Sequence, residues 1–326
     1  MGPIKEYKLA NKNYISIIIL SYGGIIKEIN TPDKNGNVEN IVLNHKSNHK
    51  YLTDSFYMGA VIGRYANRIA KSTFKLDKNI YHLDKNEGEN HLHGGLNGFH
   101  KKHWKLIEYD KEQKFVILSI NSLDSEQGYP GNLNCNVKYS LNDQNEFKIE
   151  FFAKSDKDTI FNPSTHSYFN LNPLEKSIFK HQLKINSDNY IPVDNECIPL
   201  GSIESVLKTP FDFTKFKKIG NEINTEHEQL KIGKGYDHCF VLNKNSTVAA
   251  ELSCEASGRK LIISTDQPGI QFYSGNHLSG LFNKNQGLCL ETQHFPNSPN
   301  NDNFPSTILK ANNQYYSSNC YVFSNI

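Results

Sequence analysis

Apolar and polar residues alternate along most of the chain with the period of two that is typical of β-strands. Four sets show this most clearly: Val137, Tyr139 and Leu141; Phe147, Ile149 and Phe151; Val248, Ala250 and Leu252; and Ile270 with Phe272. Each set predicts a strand with one buried face and one solvated face, because successive side chains of a strand point to opposite sides.

Clusters of Asn, Asp, Gly and Ser separate these sets at residues 33–37, 142–145 and 257–258, where they predict hairpin turns. Helical periodicity is scarce, and it predicts at most a turn or two of helix within residues 45–55 and 216–227. With no βαβ rhythm and no internal repeat, the pattern predicts an all-β fold, a large antiparallel β-sandwich of many strands. We expect one domain that spans residues 1–326, since β-sandwiches often reach this size.

Composition narrows the possible partners. The chain has 36 basic and 34 acidic residues, a formal charge of +2 and no dense basic patch, so we expect no nucleic acid partner. Apolar runs such as residues 17–20 are far shorter than the roughly 20 residues that cross a membrane, and residues 1–6 lack the apolar core of a secretion signal. We therefore expect a cytoplasmic protein without a membrane partner. Six scattered cysteines without a CxxC pair argue against a zinc ribbon or a thioredoxin-like site.

Polar residues cluster first at residues 63–69, directly after an apolar run. Asn67 and Arg68 can present an amide and a planar guanidinium group to the hydroxyl groups of a ligand. The other interpretation is a polar strand end, from which Arg64 and Arg68 extend to water.

A second cluster, at residues 90–95, contains His91 and His93. On a strand these two imidazoles would share a face and could hold a metal ion, as in cupin-like sites. Such a site needs further ligands, and the nearest carboxylates along the chain are Glu89 and Glu108. The adjacent glycines favour a close approach of the backbone to a ligand instead, and a structural, hydrogen-bonded role for either histidine remains open.

Two further clusters each contain one residue suited to proton transfer. His166 lies among hydroxyl, amide and aromatic residues at 162–171, and it is either a proton donor or a buried histidine bonded to backbone. Glu291 follows an apolar run within residues 287–296. Burial would raise the pKa of its carboxyl group toward the range of a general base, whereas the alternative is a glutamate on an edge strand.

Two more polar residues follow the same logic. Asp237 begins an apolar run, where its carboxylate can accept hydrogen bonds from hydroxyl groups or simply form a turn. Gln271 shares a strand face with Tyr273, and it either binds a polar ligand or lies on the surface.

Taken in order, these clusters resemble the aldose 1-epimerase family, also called galactose mutarotases. The resemblance extends from Tyr22-Gly23-Gly24 to Glu291-Thr292-Gln293 and includes Leu-His-Gly-Gly, His-Ser-Tyr-Phe-Asn-Leu, Gly-Tyr-Asp-His and Leu-Glu-Thr-Gln-His-Phe-Pro. It implies the many-stranded sandwich of that family, the galactose mutarotase-like supersandwich. The implied activity is interconversion of the α and β anomers of a free aldose such as galactose or glucose, without a metal or organic cofactor.

The resemblance also implies roles for individual residues. Glu291 corresponds to the base that takes the proton of the anomeric hydroxyl, and His166 to the acid that protonates the ring oxygen. His93 would lie beside the reacting oxygens. The other hydroxyl groups of the sugar would contact a set of polar residues: Asn67, Arg68, Asp237 and Gln271. We expect the protein to act as a monomer or a weak homodimer.

The chain departs from the family pattern at two positions: Thr165 stands where the family usually has Asn, and His91 is an additional histidine. Both leave the expected reaction in place but put the preferred sugar in doubt. Three alternatives remain: a hexose-6-phosphate 1-epimerase, a non-catalytic sugar-binding protein on the same scaffold, and a metal-dependent enzyme built on His91 and His93. The first would need basic groups for the phosphate, and the matching motifs contain no evident arginine cluster.

Overall fold

The computed structural model describes residues 2–173 and 175–326, and nearly all regular structure in these ranges is β-strand. The first thirteen strands are β1 (Glu6–Ala10), β2 (Ser16–Leu20), β3 (Ile26–Pro32), β4 (Val38–Asn40), β5 (Val61–Ile62), β6 (Arg68–Ile69), β7 (Thr73–Leu76), β8 (Asn79–His82), β9 (His91–Leu92), β10 (Lys105–Asp110), β11 (Phe115–Ser122), β12 (Leu133–Leu141) and β13 (Glu146–Ser155). The next thirteen are β14 (Thr159–Ile160), β15 (Ser164–Thr165), β16 (Gln182–Ile185), β17 (Asn189–Ile191), β18 (Glu204–Ser205), β19 (Lys217–Lys218), β20 (Asp237–Val241), β21 (Val248–Ser253), β22 (Arg259–Thr265), β23 (Gly269–Tyr273), β24 (Cys289–Gln293), β25 (Ile308–Leu309) and β26 (Gln314–Asn325).

Helices are short. Helix α1 covers Glu228–Gly233, and 3₁₀ turns lie at Asn48–Thr53, Ala70–Ser72, Phe99–Lys101, Glu126–Gly128, Ile219–Asn221 and Ser298–Asn300. The predicted helical turn within residues 45–55 is therefore confirmed as a 3₁₀ turn. The prediction for residues 216–227 is confirmed only as the turn at Ile219–Asn221, since α1 begins just beyond that range.

The strands form three main antiparallel sheets. The largest has nine strands in the order β10-β11-β12-β13-β26-β22-β21-β16-β19, the second has five in the order β18-β17-β20-β23-β24, and the third has four in the order β1-β2-β3-β4. Two-stranded pairs complete the fold: β14 with β25, β15 with β5, β6 with β9, and β7 with β8. The all-β antiparallel sandwich predicted from the sequence is confirmed.

The three main sheets share one hydrophobic core. It includes Tyr139 and Ile149 from the nine-stranded sheet, Phe240 and Phe272 from the five-stranded sheet, and Ile17 from the four-stranded sheet. The core side chains of β12 and β13 alternate with partly or fully exposed ones along both strands, as the sequence predicted. Burial of such alternating faces against each other is what joins antiparallel sheets into a sandwich.

The predicted hairpin turns are confirmed, because residues 33–37, 142–145 and 257–258 join β3 to β4, β12 to β13, and β21 to β22. Strand β21 differs from its prediction: a register shift between Val248 and Ala250 breaks the alternation, and Val248 is only partly buried.

Strand β23 overturns the prediction of a half-buried strand at Ile270 and Phe272, and the neighbouring β24 is buried in the same way. Every residue of both is buried, so their polar side chains lie inside the molecule instead of facing water. A strand buried on two faces usually reads as a continuous apolar run, and these strands instead carry Gln271 and Glu291. Burying such groups costs free energy unless they serve an interaction, which marks this part of the fold for function.

No helix in residues 2–173 and 175–326 has the length and apolarity needed to cross a membrane.

Candidate active site

Six of the seven predicted site residues line one cavity, which both halves of the chain build. The six are Asn67, Arg68, His93, His166, Asp237 and Glu291. The first three come from the region of β6 and β9, and the others from β20, β24 and the segment after β15. Gln271 does not line the cavity; its Nε2 atom donates to Oδ1 of Asp237 at 2.7 Å. Its position therefore suits holding Asp237 in place.

Glu291 lies in the middle of β24 and is only 2% exposed. Its Oε1 atom is 3.7 Å from Nε2 of His166, and its Oε2 atom is buried and has no hydrogen-bond partner among the described residues. Burial raises the pKa of Glu291 well above its usual value, nearby Asp237 raises it further, and Arg68 acts in the opposite direction. Most buried polar atoms in proteins are paired, so the free Oε2 is an acceptor available to a ligand.

His166 follows β15 and is held through its backbone. Its N–H donates to the carbonyl of Ala60 at 2.9 Å, and its own carbonyl accepts from the N–H of Gly59 at 3.0 Å. The Nδ1 atom is 3.5 Å from Sγ of Cys289, which leaves Nε2 to face Glu291. Burial lowers the pKa of His166 to about 4. Burial therefore disfavours the charged form of this imidazole.

The pKa of His166 is lowered and that of Glu291 is raised, so these two side chains share one titratable proton over a wide pH range. Below about pH 4 both groups are protonated, and above the raised pKa of Glu291 both have lost their protons. Across the wide range between these limits, the pair holds one proton beyond neutral imidazole and carboxylate. One acid and one base is the combination that a coupled proton removal and delivery requires.

His93 presents a hydrogen-bond donor to the cavity. The backbone N–H of Asn67 donates to Nδ1 of His93 at 3.1 Å, and because an N–H can only donate, Nδ1 must carry no proton. The proton of the neutral ring is then on Nε2. Burial lowers the pKa of His93 well below the ordinary value, and His166 lowers it further, so the ring is neutral.

The same hydrogen bond opposes a metal site. Ligand atoms of His93, His166 and Glu291 lie within 4.8 Å of one another, a spacing that could hold an ion. A histidine that binds a metal normally donates its other ring N–H to an acceptor. For His93 that other atom is Nδ1, and it faces the N–H of Asn67 instead of an acceptor. This donor set fits proton transfer better than metal binding.

The prediction that His91 and His93 share a face is wrong. Strand β9 ends at Leu92, and His93 has a φ of 51°, so the alternation that would place both rings on one face stops before His93. Nδ1 of His91 lies 2.7 Å from the carbonyl of Asp84, and Nε2 lies 2.6 Å from the hydroxyl of Tyr129. With both nitrogens occupied, His91 has a structural role outside the cavity. Thr165, the other departure from the family pattern, lies in β15 and does not line the cavity either.

Arg68 joins two carboxylates at the wall of the cavity. Its Nε and Nη2 atoms donate to Glu87 at 2.6 and 2.9 Å, and Nη1 lies 3.7 Å from Oδ2 of Asp237. Burial lowers the pKa of Arg68, but the nearby Asp237 and the hydrogen bond to Glu87 outweigh burial and raise it. The guanidinium group therefore stays positively charged. Glu87, Arg68 and Asp237 therefore form a connected set of charged groups in the lining of the cavity that also contains His166 and Glu291.

The two arginines of the first motif differ in their surroundings. The interpretation that both extend to water is wrong for Arg64, which is 2% exposed. Its guanidinium group donates to Oγ of Ser122 and to four backbone carbonyls, those of Ser122, Leu123, Pro130 and Gly131. Arg64 therefore ties together the two ends of the segment 122–131, whereas Arg68 belongs to the cavity.

Sequence reasoning missed eight lining residues: Ser55, Phe56, Tyr57, Glu87, Leu92, Tyr168, Tyr273 and His277. Tyr168 and Tyr273 lie inside motifs that drew attention for other residues, so aromatic neighbours of the polar positions were a usable signal. The ring centroid of Tyr57 is 4.7 Å from that of His93. Nothing around Tyr57 or Glu87 in the sequence distinguishes them from ordinary surface residues.

Comparison with known proteins agrees with this geometry. Residues 5–321 match the family model described as aldose 1-epimerase. A galactose mutarotase of Sus scrofa is 37% identical, with 99% of this chain and 95% of that protein covered. An aldose 1-epimerase of Escherichia coli K12 is 35% identical, with 98% and 95% covered. A solved galactose 1-epimerase from Lactobacillus acidophilus superposes with a TM-score of 0.89 at 31% identity, over 99% of this chain and 95% of that one. A match of this extent in both sequence and fold means that the chain belongs to the aldose 1-epimerase family.

Proposed function

We propose that this chain interconverts the anomers of free hexoses such as galactose and glucose, with Glu291 as the base and His166 as the acid. The reaction rearranges one molecule without adding or removing atoms, so the enzyme is an isomerase. The observation that carries the proposal is the position of Nε2 of His166 3.7 Å from Oε1 of Glu291 inside a buried cavity.

The proposed reaction needs only two proton transfers. In the form of the pair in which the shared proton lies on His166, the Glu291 carboxylate removes the proton of the anomeric hydroxyl, and a C1=O double bond forms as the bond between C1 and the ring oxygen breaks. The departing electron pair remains on the ring oxygen, which takes the proton from Nε2 of His166. The open aldehyde turns about its C1–C2 bond and closes from the other face with the two roles exchanged. Each positioned group can contribute about 10²–10⁴-fold.

The remaining polar residues bind and orient the sugar in this proposal. The Nε2–H of His93 donates to a reacting oxygen, where it stabilises negative charge as the ring opens. Asn67, Arg68 and Asp237 bind other hydroxyl groups, and Gln271 fixes Asp237 through its 2.7 Å hydrogen bond. Every step is a proton transfer between groups of this chain and the sugar, so the scheme calls for no cofactor.

We also propose a cytoplasmic enzyme, active as a monomer or weak homodimer and contained in a single domain. All six cysteines are free, as is usual for proteins of a reducing compartment. The proposed acid and base, His166 and Glu291, lie together in one cavity of a single copy of the chain.

The test is polarimetry on freshly dissolved α-galactose and α-glucose. The enzyme is expected to bring each to its anomeric equilibrium faster than buffer alone, in proportion to enzyme concentration. Heat-denatured protein is the control. Binding of sugar without faster equilibration would contradict the proposal and favour a non-catalytic sugar-binding protein.

The pKa shifts predict the pH dependence of kcat/KM. Because burial holds the pKa of His166 at about 4, the acid limb is expected near pH 4, where protonation of the second group leaves no base. The alkaline limb follows the raised pKa of Glu291, above which no acid remains. Between pH 5 and 7 we expect kcat/KM to change less than about threefold. Initial rates of galactose mutarotation measured at each pH check this prediction. Recovery of full activity after the enzyme is returned to pH 7 is the control for denaturation. An acid limb near pH 6.5 would contradict the scheme.

A further inference from the structure

On the basis of the function proposed above, we propose that Glu87 is a specificity-determining residue that restricts the cavity to uncharged sugars. By binding Arg68 through both oxygens, it discriminates against aldoses with an anionic group, such as a 6-phosphate or a uronic carboxylate. The inference starts from the charges that line the cavity and from where along its depth they lie.

The cavity has one strong cation, and that cation is already paired. Among the described lining residues, Arg68 is the only lysine or arginine, while Glu87, Asp237 and Glu291 are acidic. Both oxygens of Glu87 accept from Arg68, and Asp237 lies on its third nitrogen. A bidentate pair of this kind occupies the Nε–Nη2 edge of the guanidinium group, which could otherwise bind a phosphate or carboxylate of a ligand.

Glu291 and Glu87 lie at different depths in the cavity, and this difference determines which part of a bound sugar is near Glu87. The reacting carbon must reach Glu291, whose side chain is 2% exposed, so it enters the closed end of the cavity. The side chain of Glu87 is 36% exposed and thus lies toward the open side. A substituent on the sugar carbon remote from C1 therefore projects toward the end where Glu87 lies. An anionic substituent there meets a carboxylate and finds no free cation.

The turn that carries Glu87 is held in place, which fixes the backbone from which this carboxylate reaches Arg68. Asn86 donates through Nδ2 to the carbonyl of Leu92 at 2.8 Å and accepts through Oδ1 from the N–H of Leu92 at 2.7 Å. Asn90, at the other end of the turn, accepts from the N–H of Lys71 at 2.8 Å. Strand β9, which contains Leu92, in turn pairs with β6, which contains Arg68.

The test compares Glu87→Gln with the native enzyme, using galactose 6-phosphate and galacturonate as competitive inhibitors of galactose mutarotation. Gln keeps the size of the side chain and one acceptor for Arg68 but removes the negative charge. We expect the ratio of each inhibition constant to the KM for galactose to fall about tenfold. The change should shrink at high salt, because salt screens partly exposed charges. Glu89→Gln is the matched control, since Glu89 is 71% exposed and outside the cavity.

A neutral probe separates charge from shape. Binding of 6-deoxygalactose relative to galactose is expected to stay the same in Glu87→Gln. An unchanged ratio for both anionic sugars, or an equal change for 6-deoxygalactose, would overturn the role of Glu87. Failure of the native enzyme to equilibrate galactose would instead contradict the proposed function, so the two outcomes are distinguishable.

Discussion

Replacing Glu291 with Gln is expected to lower kcat for galactose mutarotation by about 10⁴-fold, the upper end of the contribution of one general base. Gln has nearly the same shape, so the sugar should still bind, but its amide cannot take the anomeric proton. Polarimetry gives kcat, and sugar binding by calorimetry shows that the cavity is intact. Glu112→Gln, at an exposed position in a turn, is the matched control and should behave like the native enzyme.

The same substitution is expected to make the protein more stable at neutral pH. The pKa of Glu291 is raised in the folded state, so the folded protein binds this proton more tightly than the unfolded chain does. Stability from this group is therefore complete below the unfolded pKa of about 4.5 and is lost as pH rises above it. The loss is about 1.4 kcal/mol for each pH unit until the folded pKa is reached.

Gln does not ionise and avoids this loss. We expect Glu291→Gln to melt about 2 °C or more above the native enzyme at pH 7 and to show a smaller difference at pH 5, as measured by calorimetry. Equal melting temperatures at pH 7 would mean that Glu291 ionises without difficulty in its pocket, and the proposed sharing of one proton with His166 would then be wrong. An increase in stability together with a loss of activity is the trade-off expected of a strained catalytic group.

Much of the fold could be predicted because it follows from local patterns. Alternation specified β12 and β13, and turn residues specified the hairpins that join them and their neighbours. Alternation failed for β23 because both faces of this strand are covered, and coverage depends on sheets that form far away in sequence. It also failed at Val248, where a register shift moves one residue out of step.

Site residues could be predicted from the sequence where they lie in recognisable motifs. Contacts between residues that are distant in the chain and are brought together only by folding could not be predicted. His166 and Glu291 are 125 residues apart in the chain, and no spacing rule connects them. Glu87 lies in a turn rich in charged and amide residues, which resembles ordinary surface. The role proposed for Glu87 rests on its two hydrogen bonds to Arg68, which the sequence does not show. The rotation of His93 away from His91 depends on a backbone φ of 51°, which a residue pattern does not specify.

Replacing His166 with Asn is expected to lower kcat by about 10²–10⁴-fold while the KM for galactose changes only a few-fold. Asn can still fill part of the space and form hydrogen bonds, but it cannot deliver a proton to the ring oxygen. The hydroxyl contacts proposed for Asn67, Arg68 and Asp237 are not altered, which is why binding should persist. Initial rates over a range of galactose concentrations separate the two constants.

The alternative acid is His93, and the structure argues against it. Its Nδ1 atom accepts from the N–H of Asn67, so His93 cannot gain the second proton that would make it an imidazolium acid, whereas Nε2 of His166 lies 3.7 Å from Oε1 of Glu291 and can share the proton of that pair. His166→Ala should therefore regain activity when free imidazole is added, because the small molecule can occupy the vacated space and supply the proton. The exposed His103→Asn is the control and should be unaffected. Full activity in His166→Asn, with loss only in His93→Asn, would reverse the assignment of the acid.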